Sequence, residues 1–510
     1  ALTGYPVEDL VFSRRFTDRV DTALADLRDV AAETGTALLT GAPMRVDGRI
    51  VNAALLIDNH RVVRVDKHEL PTYGVFDEAR HFTPGRLPDP VIFRGYRLGV
   101  LVCEDVWHPA GAWNLAHAEA DLLIAINASP YETGKLARRR EVARARVADA
   151  ALPLIYLNRA GGQDELVFDG GSFVLDETGA ELLQMAGFQD AADRLRLGRD
   201  HRGRARLAPV TPGASYPDSR EAETWSALVA GLRAYVHGNG FRDVLIGISG
   251  GIDSAVSAAL AVDALGPEAV RGVMLPYRHT SATSRREAER LAELLGIRLE
   301  VIPIADGLEG ALRNIELATG RAVGGLGLEN LQARERGQIL MTLSNRDGSM
   351  LLSTGNKSEV SVGYSTLYGD MCGGFNALKD VYKTDVYALA RWRNTDAPDN
   401  GLGPPAGAAA IPDTTIARAP SAELSESQQD SDSLPDYAVL DPVLRILIDE
   451  HGSPDDAAAA GHDRDLAVRA AKMVDRAEYK RRQAAPGIKI TGMLFNRDRR
   501  VPITNHWQHV

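Results

Sequence analysis

The chain has 510 residues, of which 45% are hydrophobic and 25% are charged. This composition is typical of globular proteins with sizeable buried cores, so it excludes a globally disordered chain and a single small module. Asp and Glu outnumber Lys and Arg by 69 to 58, which gives a formal net charge of −11. An acidic surface repels phosphate backbones and therefore disfavours general binding to nucleic acid.

Apolar runs in the sequence are short, and none approaches the ~20 residues that a helix needs to cross a bilayer. We therefore expect neither a membrane nor a nucleic acid among the partners of the chain. The two cysteines, Cys103 and Cys372, are too few for a disulfide framework and are typical of a reducing compartment. We expect a cytoplasmic protein.

The first two hundred residues predict a strand-rich α/β unit. Apolar residues at helical spacing predict a helix over 15–34 that stops at Gly35. Fully apolar or alternating runs predict several short strands after it. The further predicted elements are strands at 36–43, 98–102, 120–126 and 153–157, two strands within 51–65, a helix at 134–151 and a hairpin at 172–185.

A charged stretch rich in Pro and Gly, over 194–219, loses this periodicity and is typical of an inter-domain connection. We therefore expect a first domain at 1–200, a linker at 201–219 and a second domain at 220–510. The second domain alternates predicted helices with strands, which indicates a parallel, doubly wound sheet. These helices are at 221–238, 254–265 and 284–295, and the strands are at 244–248 and 270–275. Residues 396–436, rich in Pro, Gly, Ala, Ser and Asp, predict a flexible segment.

A glycine-rich turn joins the strand at 244–248 to the following helix. Successive backbone N–H groups and a helix N-terminus attract an anion there, and the absence of a GK[ST] triplet excludes the usual kinase loop. The turn resembles the SGGxDS loop of the ATP pyrophosphatase superfamily, which cleaves ATP between its α and β phosphates. The resemblance implies ATP as a substrate, bound by Gly247, Ile248, Ser249, Gly250, Gly251, Ile252, Asp253 and Ser254.

Release of pyrophosphate calls for a divalent cation, and Mg²⁺ prefers carboxylate oxygens and water. Asp253 lies in the glycine-rich turn. Glu359 follows a second apolar strand, at 351–353, where a polar turn reaches the ligand-binding edge of such a sheet. We expect both carboxylates to hold Mg²⁺.

Five further stretches, at 329–334, 354–359, 368–370, 377–383 and 478–483, resemble the NAD synthetase family. In that family the nicotinate carboxylate of deamido-NAD is adenylylated and the adenylate is then displaced by ammonia. The resemblance implies that Asn330, Glu359 and Lys480 contact deamido-NAD and that Thr354 contacts ATP.

Cys103 follows the apolar strand at 98–102 and precedes two acidic residues, an abrupt change from strand to turn. A lone cysteine is usually a small buried hydrophobe. At its ordinary pKa a thiol is only a few per cent thiolate at pH 7, so a nucleophilic role needs a base and a nearby cation. Lys67 is a candidate for the cation.

The stretches at 67–78, 100–107, 127–130 and 161–172 resemble the nitrilase or carbon–nitrogen hydrolase superfamily, and in particular the glutaminase domain of glutamine-dependent NAD synthetases. The resemblance implies that Cys103 is the nucleophile and that Lys67 stabilises the tetrahedral oxyanion. It also implies that Tyr73, Ser129 and Lys135 hold glutamine, with Glu78 as a supporting carboxylate.

The catalytic base of that superfamily is a Glu in a Pro-Glu motif a few residues before Gly-Tyr-Pro. Here Gly4-Tyr5-Pro6 opens the chain, so the equivalent Glu would fall just before Ala1. Glu8 lies after the motif and is no substitute. We expect the native polypeptide to extend upstream and to include this Glu with the opening strand and helix of the fold.

Together these resemblances imply a member of the glutamine-dependent NAD synthetase family, with an N-terminal α-β-β-α nitrilase-like sandwich followed by a doubly wound, adenine nucleotide alpha hydrolase-like domain. The expected partners are glutamine, deamido-NAD, ATP and Mg²⁺, with a second copy of the chain through the synthetase domain. The alternatives are another glutamine amidotransferase of the ATP pyrophosphatase type, an amidase fused to an inert nucleotide-binding module, and a non-catalytic glutamine or nucleotide sensor.

Overall fold

A computed structural model describes residues 2–420, 423–425, 430 and 433–505. It divides the chain into two compact units, residues 1–163 with 167–218 and residues 219–510 with 164–166. Both units mix helices with β-sheets. In the described residues, no helix is both long enough and apolar enough to cross a membrane.

As far as the structure describes it, the first unit contains four α-helices and thirteen strands, with short 3₁₀ turns at Glu8–Phe12 and Cys103–Trp107. Its helices are α1 Arg14–Thr34, α2 Glu78–His81, α3 Pro109–His117 and α4 Lys135–Ala150. Its strands are β1 Leu38–Val46, β2 Arg49–Asp58, β3 Arg61–Asp66, β4 Val91–Phe93, β5 Tyr96–Val102, β6 Leu122–Asn127, β7 Leu154–Asn158, β8 Ala160–Gln163, β9 Leu166–Asp169, β10 Phe173–Leu175, β11 Glu181–Gln184, β12 Leu195–Arg199 and β13 Ala205–Pro209.

This unit is layered as helix, sheet, sheet and helix. A six-stranded sheet in the order β11-β10-β7-β6-β5-β4 is parallel at its centre, and β1-β2-β3 form an antiparallel sheet. Helices α3 and α4 pack on one face of the large sheet, for example through Leu115. The small sheet covers the other face, and Val20 and Leu24 of α1 pack on its far side. The layering confirms the predicted α-β-β-α sandwich.

Residues 195–209 form a β hairpin, whereas the sequence indicated an irregular connection. Leu197 of β12 lies opposite Leu207 of β13. Apolar residues alternate with an arginine in Leu195-Arg196-Leu197 and in Ala205-Arg206-Leu207. The many Arg and Gly residues of this stretch conceal that pattern, so the sequence did not predict the hairpin. No helix or strand lies between β13 and the next helix, which begins at Arg220.

Within the described residues, the second unit contains twelve α-helices and five strands, with a 3₁₀ turn at Pro267–Ala269 and a π-helical turn at Arg445–Asp449. Its helices are α5 Arg220–Gly238, α6 Ile252–Leu265, α7 Ala282–Leu295, α8 Ala305–Thr319, α9 Leu326–Asp347, α10 Lys357–Val362, α11 Lys383–Thr395, α12 Asp413–Ala417, α13 Tyr437–Leu444, α14 Pro454–Ala459, α15 Arg464–Arg476 and α16 Glu478–Arg481. Its strands are β14 Val244–Gly247, β15 Val270–Met274, β16 Arg298–Val301, β17 Met350–Ser353 and β18 Phe375–Asn376.

The five strands form a single parallel sheet in the order β16-β15-β14-β17-β18. The order reverses at β14, which pairs with β15 on one side and β17 on the other. Ligands of doubly wound sheets bind at this switch point, outside the carboxyl ends of the strands. The turns after β14 and β17 therefore meet where the sequence predicts the phosphate loop and Glu359.

The expected flexible segment at 396–436 is described in part, and residues 421–422, 426–429 and 431–432 of it lie outside the described residues. Its described part contains α12, and Thr414 and Thr415 donate hydrogen bonds to Glu287 of α7 at 2.7 and 2.9 Å. The flexibility of the segment stays a prediction.

Candidate functional site

Cys103 lies at the carboxyl end of β5 in a sharply bent backbone. Its φ of +50° is in the left-handed region, which non-glycine residues rarely adopt and which turns the chain abruptly out of the strand. The Asp105 carboxylate accepts the N–H of Val102 at 3.0 Å and the N–H groups of His68 and Glu69 at 3.0 and 2.8 Å. These bonds hold the Cys103 turn against the segment that carries Lys67.

Lys67 is 1% exposed, and its Nζ donates to Glu78 Oε2 at 2.5 Å. Burial alone would lower the pKa of this ammonium, but Glu78, Cys103 and Asp105 together raise it, so Lys67 is a cation. Burial raises the pKa of the Cys103 thiol above its ordinary value, while Lys67 and the amide of Ala128 lower it. The resting Cys103 side chain is therefore a protonated thiol, and a nucleophilic role for it would need a base.

Because the Lys67 ammonium opposes the effect of burial on the pKa of the Cys103 thiol, its removal should change how the reactivity of Cys103 depends on pH. Lys67→Met is expected to shift the rate–pH profile for alkylation of Cys103 by iodoacetamide to higher pH, because the thiolate loses its nearest cation. The matched variant Lys135→Met is expected to leave the midpoint where it is, since that ammonium pairs with Glu132 at 3.0 Å. An unshifted profile in Lys67→Met would contradict the assigned role of Lys67.

The three side chains predicted to hold glutamine differ in their exposure and in the residues that they contact. Tyr73 is 58% exposed and its hydroxyl donates to Glu104 Oε1 at 2.9 Å, while the Lys135 Nζ lies 5.4 Å from the centre of the Trp107 ring. Both therefore contact the turn that Cys103 begins. Ser129 is 4% exposed and its Oγ accepts a hydrogen bond from Arg139 at 3.1 Å, so this hydroxyl is held inside the unit.

In the second unit, the turn after β14 requires glycine. Gly250 has φ +82°, and a Cβ there would overlap the carbonyl oxygen of Ser284. Ser254 Oγ donates to the Gly251 carbonyl at 2.9 Å, which fixes the first turn of α6. All the residues predicted to bind ATP, Thr354 included, line one cavity of about 320 Å³, and Glu359 lines it as well.

Asp253 and Glu359 are brought together by a lysine. Lys383 Nζ contacts Asp253 Oδ2 and lies 3.0 Å from Glu359 Oε1. Burial and the charge of Asp253 raise the pKa of Glu359 to about 7, against the opposing effect of Lys383. Asn356 links the two turns, since its Nδ2 donates to Asp253 at 3.0 Å and its Oδ1 accepts the Glu359 N–H at 3.0 Å.

This donor set fits magnesium. Mg²⁺ is usually held by one or two carboxylates together with substrate phosphates and water, and the two carboxylates already converge on one cation. In the described residues, no cluster of three or more metal-ligating side chains competes with this pair. A divalent cation at these oxygens would have to displace the Lys383 ammonium.

Asn330 and Lys480, the remaining predicted contacts of deamido-NAD, do not line the cavity. Lys480 Nζ donates to the carbonyls of Gly363 and Ser365 at 2.8 and 2.7 Å, and Asn330 Oδ1 accepts from Thr366 at 2.9 Å. Both side chains thus contact residues 363–366, and Ser365 does line the cavity.

Both units match known families. The carbon–nitrogen hydrolase profile matches residues 1–189, and the NAD synthase profile matches residues 224–484. The chain is 45% identical to the glutamine-dependent NAD(+) synthetase of Rhodobacter capsulatus, over 99% of this chain and 91% of that protein. It is 43% identical to the protein of that name from Xanthomonas campestris, over 99% and 90% of the two chains. The chain belongs to the glutamine-dependent NAD⁺ synthetases.

A solved structure of this family agrees. The glutamine-dependent NAD⁺ synthetase from Acinetobacter baumannii, in complex with ADP, has a TM-score of 0.74 at 38% identity and matches 99% of this chain and 90% of that one. The chain is thus a ligase that forms a carbon–nitrogen bond with glutamine as the nitrogen donor. These findings confirm the predicted family, fold class and enzyme class.

Two side chains that line the nucleotide cavity, Lys383 and Asp430, were not among the residues predicted from the sequence. Lys383 ends the stretch at 377–383 that resembles the family, but no role was predicted for it. A cation in the first turn of a helix opposes the helix dipole, so its position there indicates a carboxylate partner nearby. Asp430 is 4% exposed, accepts the Tyr437 hydroxyl at 3.0 Å and lines the cavity. Asp430 lies in the segment at 396–436 that the sequence predicts to be flexible, and no motif there indicated a functional residue.

Proposed function

We propose that this enzyme amidates deamido-NAD to NAD with ammonia that it releases from glutamine at Cys103. The observation that carries the proposal is the pairing of a Cys103–Lys67 site in one unit with a glycine loop and two carboxylates around a single cavity in the other. Each arrangement suits one half of the reaction.

In the first half-reaction, the Cys103 sulfur attacks the side-chain amide of glutamine after losing its proton to a general base. The Lys67 ammonium faces the developing oxyanion, and its ion pair with Glu78 keeps it charged and in place. Collapse of the tetrahedral adduct expels ammonia and leaves a thioester, which water hydrolyses to glutamate. Tyr73 and Lys135 hold the amino acid end of glutamine beside this turn.

In the second half-reaction, the backbone N–H groups of residues 248–252 and the N-terminus of α6 hold the phosphates of ATP. The ADP complex of the Acinetobacter baumannii relative supports an adenine nucleotide here. The nicotinate carboxylate attacks the α phosphorus and pyrophosphate leaves; ammonia then attacks the resulting acyl adenylate, and AMP leaves. Mg²⁺, held by Asp253 and Glu359, would neutralise charge on the departing pyrophosphate.

Lys383 changes partners in this scheme. Burial would lower the pKa of its ammonium, but Asp253 and Glu359 raise it above the ordinary value, so it is charged before ATP binds. With Mg²⁺ held by Asp253 and Glu359, the Lys383 ammonium would be available to the phosphates of ATP. Asn330, Glu359 and Lys480 would contact the dinucleotide, and Asn330 and Lys480 both lie against residues 363–366 beside the cavity.

A second copy of the chain is proposed to pack on the synthetase unit. Of α8, only Leu308 is buried, whereas Leu317 and, at the start of α9, Leu326 are 84% and 71% exposed. We propose that these two exposed leucines belong to the surface that the second copy covers. Leu317→Glu with Leu326→Glu is expected to lower the mass found by sedimentation; an unchanged mass would contradict this interface.

Both cysteines of the chain are free thiols. A nucleophilic thiol persists best in a reducing compartment, and we propose the cytoplasm on that ground.

Pyrophosphate release, measured with ATP, Mg²⁺ and ammonium, tests the acceptor. Deamido-NAD is expected to support release in step with NAD formation, whereas a purine nucleotide precursor of GMP and aspartate are expected to support none. Release with either of those acceptors, and none with deamido-NAD, would favour another amidotransferase of the same superfamily.

A further inference from the structure

A buried ion pair lies behind the Cys103 turn in the first unit. Asp169 at the end of β9 is fully buried, and its two oxygens accept Arg139 Nη1 at 2.7 and 2.8 Å. Asn158 Nδ2 donates to the same carboxylate at 3.2 Å. A buried ion pair often stabilises a fold no better than well-packed apolar residues do. Stability alone therefore does not account for this pair, whose hydrogen bonds also position neighbouring groups.

The rest of the Arg139 guanidinium holds the turn that follows β6. Its Nη2 donates to the carbonyls of Ser129 and Pro130 at 2.8 and 3.1 Å, and its Nε donates to Ser129 Oγ. Asn158 Oδ1 accepts the Ser129 N–H at 2.9 Å. The parallel register of β5 and β6, with Val102 opposite Ile126, places this turn beside Cys103, and the amide of Ala128 lowers the pKa of the thiol. The ion pair therefore fixes a turn that lies next to Cys103.

The third donor to this carboxylate comes from the connecting segment. The Tyr216 hydroxyl donates to Asp169 Oδ2 at 2.9 Å. Its ring covers two glycines so closely that a Cβ on Gly171 or Gly187 would lie 2.8 or 2.7 Å from a ring carbon. Tyr216 lies three residues before Ser219, the N-cap of α5, the first helix of the second unit.

We propose that Tyr216 is a positioning residue for glutamine hydrolysis, because the connecting segment, once docked, holds the turn of Ala128 and Ser129 beside Cys103 through Asp169 and Arg139. The inference rests on the proposed function. Ammonia release then depends on the docking of the segment that leads into the synthetase unit, although Tyr216 touches neither glutamine nor Cys103.

Tyr216→Phe tests this with the ring kept and the hydroxyl removed. We expect kcat for glutamine hydrolysis to fall about tenfold with KM nearly unchanged, and the rate–pH profile for iodoacetamide alkylation of Cys103 to shift to higher pH. Synthesis from ammonium should stay at the wild-type rate. The matched variant Tyr96→Phe, on the same unit at the far end of β5, should match wild type in all three measurements.

Gly187→Ala is an independent variant, since its added Cβ pushes the Tyr216 ring away while the hydroxyl remains. It is expected to change kcat and the alkylation profile in the same direction. Wild-type kcat and an unshifted profile in Tyr216→Phe would overturn the inference, as would equal losses of glutamine- and ammonium-driven synthesis. Failure of the proposed function would instead show in the wild-type enzyme, as no NAD from glutamine, and the alkylation comparison would still decide the role of Tyr216.

Discussion

Cys103→Ala is expected to abolish NAD synthesis from glutamine and to leave synthesis from added ammonium largely intact. The reason is that the thiol serves only to release ammonia, whereas adenylylation and amide formation use residues of the other unit. The measurement is NAD formation by the same preparation with saturating glutamine or saturating ammonium. The ratio of the two rates is the informative quantity, because it is insensitive to the amount of folded enzyme.

Cys372→Ala removes the other thiol and is the matched control. That side chain lines the nucleotide cavity, so any effect of its removal should fall equally on both nitrogen sources. Equal loss of both activities in Cys103→Ala would contradict the assignment of Cys103 to ammonia release.

Asp253→Asn is expected to lower both the glutamine-driven and the ammonium-driven rates by at least ~10²-fold. The substitution keeps the shape of the side chain but removes one of the two negative charges that converge on Lys383 and, in the proposed function, on Mg²⁺. Pyrophosphate release at several Mg²⁺ concentrations checks the prediction and shows whether saturating metal restores the rate.

Asp306→Asn is a matched control, because Asp306 also lies in the first turn of a helix of the second unit, on α8. It does not line the nucleotide cavity and should retain nearly the wild-type rate. A near-normal rate in Asp253→Asn at saturating Mg²⁺ would reject Asp253 as a metal ligand.

Groups that are close in sequence were predictable from patterns. The apolar strand that runs into Cys103 and the glycine turn before Asp253 both place a polar side chain at the carboxyl end of a strand, and the structure has both turns there. Parallel strands also require that such turns meet at one edge, which is why the turns of Asp253 and Glu359 could be expected to approach each other.

Groups joined only by the tertiary fold were not predictable in the same way. Arg139 and Asp169 lie on different elements and look like an ordinary surface helix residue and a turn residue, yet both are fully buried against each other. Lys383 likewise gains its significance only from two carboxylates on other turns. Asn330 and Lys480 were named from resemblance, but that resemblance gave no sign that both would contact residues 363–366.

The hairpin of β12 and β13 shows a different reason for failure. Each strand has one short alternation of apolar residues with an arginine, but charged residues and glycines outnumber the apolar residues in this stretch. The composition therefore indicated a connection, and the short alternation was too weak a signal to predict strands. The same composition concealed Tyr216, whose neighbours in sequence gave no reason to expect a docked side chain.

Transfer of the amide nitrogen from glutamine to NAD tests the central claim most directly. The enzyme would be supplied with glutamine labelled with ¹⁵N in its side-chain amide, together with deamido-NAD, ATP and Mg²⁺, and the NAD formed would be analysed by mass spectrometry. The account predicts that the nicotinamide amide carries the label and that AMP, pyrophosphate and glutamate form in equal amounts with NAD. Labelled ammonium without labelled NAD, or NAD formation without release of glutamate, would contradict it.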